Sequence, residues 1–456
     1  MAEKLANGGQ SRGLTRALAG RASTLRYEDL PAAARELARQ CVLDYLGLAL
    51  AGAGDPLVRL LLDELVEAGG AEQAGIIGHT ARLPALAVAL VNGAAAHALD
   101  YDDVNMAMPG HPSVAILPSL LALAELNGSS GREVITGFVA GYEAACAIGT
   151  AVRPGHYNIG FHSTGTVGSF GAAAACARLL GLDAEATATA LGIAGTQAAG
   201  LKSQFGTMCK PFHAGKAAQN GLLAARLAQR GVSSRADILE CEQGFAVTHS
   251  PDFSPQAALA SPEGGFHLLA NLFKYHAACY LTHAPIECAR RLRQEHQLTQ
   301  EAIAGITIRL DASCDRVCNI PAPMDGLQSK FSLRQTVAMA LAGVDTASLG
   351  AYSAENARNP ALIGLRERVR LDWQQNWLQT LCELELELVD GRRLSARHDA
   401  GIPASDIAEQ GERLAAKFDA LVEPVLGRAR SRELRAMVAA LDDLTEVGGL
   451  ARLAAG

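Results

Sequence analysis

Aromatic residues are scarce in this 456-residue chain, at 5%, while Ala and Gly abound. Small residues in such quantity favour closely packed helices over a β-sandwich. No basic tract occurs, and no Arg or Lys run is interleaved with aromatics. With a net charge of -7 and a pI of about 6.0, nucleic-acid binding is not expected. The ten cysteines, from Cys41 to Cys382, form no CxxC pair; the nearest two, Cys314 and Cys318, are four apart. Most lie among apolar neighbours, where a thiol behaves as a small hydrophobe. They read as reduced thiols of a cytoplasmic protein, with little support for structural zinc or an iron–sulfur cluster. No uncharged apolar run has the length of a bilayer span; the nearest, Pro84–Ala96, is interrupted by Asn92-Gly93. Met1–Gly13 is polar and lacks the apolar segment of a signal peptide. The expectation is a soluble protein with no membrane partner. GxSxG, HExxH, P-loop and EF-hand spacings are also missing, which removes the simplest hydrolase, metalloprotease, nucleotide and calcium readings.

What is present is apolar bulk and helical periodicity. Hydrophobic residues make up 49%, enough for a large core, and the length predicts two domains. Residues 14–270 read as helical: Ala34–Ala51, Ser113–Leu126, Phe170–Leu182, Thr187–Ala199 and Ala214–Arg230 carry helical spacing or are apolar all round. The texture changes over 271–400. Ile303–Leu310 and Leu381–Val389 alternate as strands. Asp390-Gly391 is a hairpin signal, and Arg392–His398 returns. Ser332–Leu341, Thr346–Tyr352 and Pro360–Val369 read as helices between them. From 401 to 456 the chain is helical again, over Asp406–Phe418 and Arg430–Ala440. The fold class expected is therefore mainly α: a large all-helical domain with a smaller inserted α+β domain. A cleft beside such an insertion is a favoured ligand location.

Polar groups with chemical capacity cluster in three segments. The first runs His97-Ala-Leu-Asp100-Tyr-Asp-Asp and then Gly110-His111-Pro112-Ser113. A His just before a helix faces that helix's positive end, which favours the neutral base. Capping and solvation of a turn by Asp100, Asp102 and Asp103 is the plainer alternative, and metal ligation a third without supporting ligand spacing. The second is Gly160-Phe161-His162-Ser163-Thr164-Gly165. Ser163 or Thr164 suits an N-cap, and Gly165, Gly168 and Gly171 suit close helix packing better than a dinucleotide fingerprint. The third holds Lys202, Cys209, Lys210 and His213. A lysine between apolar helices is costly to bury unless a carboxylate pairs it; a solvated loop is the alternative. A fourth, weaker segment carries Lys274 near the domain junction, and Lys330, Ser332 and Arg334 lie beyond it.

Taken together, His97–Asp103, Gly110–Ser113, Gly160–His162 and Cys209–Gly215 resemble the MmgE/PrpD family, from about residue 15 to 450. Its members include 2-methylcitrate dehydratase, cis-aconitate decarboxylase and iminodisuccinate epimerase. The resemblance implies a helical domain with an α+β lid, a homodimer, and no metal or organic cofactor. It assigns Asp100, His111, His162 and Lys210 to the catalytic pocket and Lys274 to substrate contact. His213, Lys202 and Gln335 join as substrate-binding candidates. Three positions depart from the decarboxylase pattern: Val104 replaces a Thr, Cys279 a His, and Gln335 stands near a Tyr.

The chemistry expected is proton transfer on a small di- or tricarboxylate. A carbon acid beside a carboxylate needs a positioned base and cations that stabilise the enediolate. The leading reading is a cofactor-independent lyase of dehydratase type on a 2-methylcitrate-like substrate. Alternatives are an epimerase of an iminodisuccinate-like acid, a decarboxylase of a cis-aconitate-like acid, and a carboxylate-binding protein without turnover.

Overall fold

A computed structural model describes residues 13–456; the residues before Gly13, on which the signal-peptide expectation rests, lie outside the described part. The chain divides into two compact units, one running to Asn271 and resuming over Ala404–Gly456, the other Leu272–Pro403.

The first unit is a helical assembly. Its central helices are Ala32–Gly52, Ala85–His97, Pro112–Asn127, Gly131–Val152, Ser163–Leu179 and Cys209–Gln229. Ser163–Leu179 packs on both Gly131–Val152 and Cys209–Gln229, and the latter also packs on Ala85–His97. Small residues permit these approaches. A Cβ on Gly168 would fall 2.6 Å from the Ala115 Cβ, and one on Gly171 2.9 Å from that of Ala145. The glycine series therefore serves helix contact. Gly131–Val152 has the length and hydropathy of a bilayer span, but 89% of its most apolar window is buried in the structure, as suits a core helix that also carries Glu143.

The C-terminal helix Ile407–Leu426 packs along Ala32–Gly52. It starts at Asp406, whose carboxylate accepts the Ala408 and Glu409 amides. Its Lys417 is buried, 2.7 Å from Asp44, and donates to the Tyr101 carbonyl at 2.8 Å. The C-terminal segment thus returns to the first unit and holds the loop that carries Asp100.

The second unit is built on a four-stranded sheet, in the order Val369–Gln374, Ile303–Asp311, Leu381–Leu388, Arg393–Asp399. The first pair is parallel and the others antiparallel. Ile306, Ile308, Leu310, Leu384, Leu386 and Leu388 share a core with Ala284, Leu292, Val337 and Leu341, from the helices His283–His296 and Leu333–Ala342. On the opposite face Arg309 pairs with Glu385, and Arg397 with Glu383. Two sequence expectations differ. Thr346–Tyr352 forms only the short 3-10 turn Leu349–Ala351, and the helix from Pro360 ends at Arg366 so that Val369 opens an edge strand. That strand buries Val369 alone, so its alternation is weak.

Candidate active site

The loop between the helices Ala85–His97 and Pro112–Asn127 carries most of the chemistry. His97 ends the first helix, and His111 is the residue immediately before the second. Asp100 stands between them with φ 51°. A non-glycine residue in this left-handed region costs about 1–3 kcal/mol, which the surrounding contacts must offset. One such contact is direct: Lys210 Nζ donates to Asp100 Oδ1 at 2.6 Å. Lys210 lies in the first turn of Cys209–Gln229, not on a loop between helices. A cation there opposes the helix dipole, so the Asp100 carboxylate answers both the charge and its burial.

His111 has a determined orientation. Its Nδ1 lies 2.9 Å from the Asp103 carbonyl oxygen and 3.1 Å from Asp102 Oδ2. A carbonyl only accepts, so Nδ1 carries the hydrogen. In the neutral ring the lone pair is then on Nε2, which lies 3.9 Å from Asp100 Oδ1. The His111 backbone amide donates to Thr164 Oγ1 at 3.1 Å, which ties this loop to the start of Ser163–Leu179. The expectation that Ser163 or Thr164 caps that helix is not met: the residue before its first turn is His162, with no side-chain cap. Thr164 instead serves His111.

Asp102 is shared by two imidazoles. His97 Nδ1 lies 3.0 and 2.9 Å from its two oxygens, and His111 takes the second contact. Burial alone would raise the Asp102 pKa, but His111 and His97 hold it well below the ordinary carboxylate value. Burial pushes His97 down to about 4, against the opposing pull of Asp102. Asp103 behaves oppositely. Burial raises its pKa to about 7, while Ser113 Oγ donates to Oδ2 at 2.5 Å and the Ser113 amide to Oδ1 at 3.3 Å.

His162 completes the cluster. Its ring lies 5.9 Å from that of His97, 4.9 Å edge-on from Phe205 and 5.3 Å from His213. Its Nδ1 is 3.1 Å from His213 Nδ1, so one ring donates and the other accepts. Burial, reinforced by the nearby His97 ring and the Lys210 ammonium, depresses its pKa well below the usual histidine value. His213, less buried, is lowered by the same two kinds of influence.

The structure thus brings together Asp100, His111, His162, Lys210 and His213 in one unit. Lys202 is occupied locally: its ammonium donates to the Tyr157 carbonyl at 3.1 Å and lies 3.6 Å from the centre of that ring. Gln335 lies in the second unit, apart from this cluster, and is engaged internally. Its amide donates to the Asn356 carbonyl at 3.1 Å and accepts from Arg366 at 3.0 Å, with the side chain fully buried. Lys274 lies in the second unit with its side chain buried. Sequence reading passed over His97 and Asp102 as functional residues. Their signal was present: five residues apart at a helix end, they are placed for one side chain to reach the other.

One donor atom each from His97, Asp100, Asp102 and His111 lies within 4.8 Å of the others, close enough for a divalent cation. The Lys210 ammonium already supplies a positive charge to Asp100, and Asp102 already bonds His97 and lies 3.1 Å from His111 Nδ1. The donor set is therefore engaged internally.

Residues 16–258 match the MmgE/PrpD N-terminal domain, and residues 276–443 match the MmgE/PrpD C-terminal domain. Several curated relatives are named cis-aconitate decarboxylase. The one from Aspergillus terreus (strain NIH 2624 / FGSC A1156) is 26% identical, covering 99% of this chain and 98% of its own length. The one from Mus musculus is 27% identical, covering 97% and 93%. The one from Homo sapiens is 29% identical, covering 82% and 80%. The two domain matches together span nearly all of the described sequence, helical unit and sheet unit alike, and this chain belongs to the MmgE/PrpD family.

Proposed function

We propose that this protein is a cofactor-independent carboxy-lyase acting on a small unsaturated tricarboxylate of the cis-aconitate type. The relatives named above favour decarboxylation over the dehydration of a 2-methylcitrate-like acid that motif reading put first. The observation that carries the reading is His111: Nδ1 bonds the Asp103 carbonyl and lies 3.1 Å from Asp102, which leaves Nε2, 3.9 Å from the Lys210-paired Asp100, for proton transfer.

Loss of carbon dioxide breaks one C–C bond and leaves its electron pair on the substrate. Conjugation into a remaining carboxylate delocalises that pair, and a nearby cation lowers its energy. Lys210 is that cation, with Asp100 fixing its direction. The carbanion then takes a proton at carbon, which His111 Nε2 delivers as an imidazolium and later recovers from solvent. His162, kept neutral by burial, serves as hydrogen-bonding partner for a substrate carboxyl or for His213.

Incubation with cis-aconitate in deuterated water, followed by NMR, tests this directly. The expected outcome is stoichiometric carbon dioxide and one deuteron at carbon in a dicarboxylate product. Inertness towards cis-aconitate, with elimination of water from a methylcitrate-type hydroxy acid, would overturn it in favour of the dehydratase. Deuterium exchange without carbon dioxide or elimination would favour an epimerase.

A further inference from the structure

His97 is a buried imidazole that the proposed reaction does not use. It is 1% exposed, and its Nε2 has no hydrogen-bond partner among the described residues. An unsatisfied buried polar atom costs about 1–3 kcal/mol, and packing alone would be served as well by an apolar side chain. Its Nδ1 is committed to Asp102, and its ring sits between His111, at 4.7 Å, and His162, at 5.9 Å. Asp102 in turn is 1% exposed; its carboxylate bonds His97 Nδ1 and lies 3.1 Å from His111 Nδ1.

We propose that Asp102 is the positioning residue of the site, a single carboxylate that holds both His97 and His111 with the hydrogen on Nδ1, while His97 is the neutral second arm that fixes the carboxylate itself. This rests on the lyase reading for its catalytic consequence, but the tautomer assignment stands without it.

The reasoning is geometric. The Asp103 carbonyl fixes the hydrogen of His111 at Nδ1 but carries no charge. Asp102 adds the charge, so that the imidazolium formed when Nε2 takes a proton is paired. A carboxylate bonded on one side alone is free to rotate about its side-chain torsions. The His97 N–H, bridging both oxygens, removes that freedom. Were His97 the cation, Asp102 would be spent on it and would no longer favour charge on His111; the unshared proton on Nε2 of His97 would also be buried without an acceptor. A neutral His97 avoids both.

Nitrogen-15 NMR of the histidine-labelled protein reads tautomers through two- and three-bond couplings, with His97→Gln and His111→Gln spectra supplying assignments. The wild-type protein without substrate is expected to show Nδ1–H for both rings and a neutral His97 at pH 7. An Nε2–H tautomer at His111, or an imidazolium at His97, overturns the proposal whatever the substrate proves to be. Asp102→Asn offers one acceptor oxygen and an amide donor, so one imidazole is expected to switch tautomer. kcat on cis-aconitate should fall at least about 100-fold, with KM within about threefold because Lys210 and Asp100 are untouched. Wild-type kcat in a folded Asp102→Asn protein contradicts the positioning role. Inactivity of the wild-type protein, with the expected tautomers, would refute the lyase reading alone.

Discussion

Lys210 Nζ lies 2.6 Å from Asp100 Oδ1, and both side chains are about nine-tenths buried. The pair joins a residue strained by its positive φ to a cation at a helix start, so each makes the other tolerable. Removing one partner leaves a buried charge, which costs about 3–5 kcal/mol. Lys210→Ala is therefore expected to lose both stability and nearly all turnover, whereas the double variant Lys210→Met with Asp100→Leu regains much of the stability and none of the activity. Urea unfolding beside an activity assay distinguishes the two.

Lys417 makes a similar case at a distance. It pairs with Asp44 at 2.7 Å and donates to the Tyr101 carbonyl, next to Asp100. Lys417→Met leaves Asp44 buried without its cation and releases the loop. A stability loss of about 3 kcal/mol and a clear drop in kcat are expected, though Lys417 carries no part of the reaction. Unaltered kcat in a folded variant would show that the loop does not depend on it.

The pH dependence of stability has a definite sign. His97, His156 and His267 have folded pKa values of about 4, and His162 lies well below the usual value. In the unfolded chain they protonate near 6.5. Between these limits the unfolded state binds more protons, so stability falls as pH drops from about 6.5 towards 4. Asp103 and Glu143, both raised to about 7, contribute in the opposite direction as pH rises. The four histidines outnumber them, and the net expectation is a higher urea midpoint at pH 7 than at pH 5. Equal or inverted midpoints would contradict it.

Metal removal should be without effect. Asp100 and Asp102, the carboxylates a divalent ion would need, are already paired, Asp100 with Lys210 and Asp102 with His97 and the nearby His111 ring. Dialysis against a chelator is expected to leave kcat/KM unchanged. A tenfold loss restored by one divalent cation would show that these donors serve a metal instead.

Helix packing reaches the site through Gly168. Its Cβ position is 2.6 Å from the Ala115 Cβ, and Ala115 is on the helix that His111 precedes. Gly168→Val forces the two helices apart. Overpacking costs about 1–3 kcal/mol, and a parallel fall in kcat is expected because the His111–Thr164 bond joins these same helix starts.

How far the sequence disclosed this arrangement varies by residue. Helices apolar all round, and strands alternating Leu with Glu at 384–388, were legible because their periodicity is strong. The strand Val369–Gln374 was not, since an edge position buries little of it. His111 before Pro112 was readable from local chemistry. Lys210 and His162 were not decided locally: their partners, Asp100 and His213, are 110 and 51 residues away. His97 and Asp102 were visible as a motif, but their sharing of one carboxylate with His111 depends on where the loop folds back. Sequence position gives no sign that both ends of the Gln335 amide are used by Asn356 and Arg366.

The most direct test of His111 as the proton carrier is kcat/KM of His111→Gln on cis-aconitate, measured beside its unfolding curve. Gln keeps a donor for Asp102 and the Asp103 carbonyl but has no nitrogen that titrates. The expected result is a folded protein whose kcat/KM is lowered by about 100-fold or more. A folded His111→Gln protein within a few-fold of wild type would contradict the central claim.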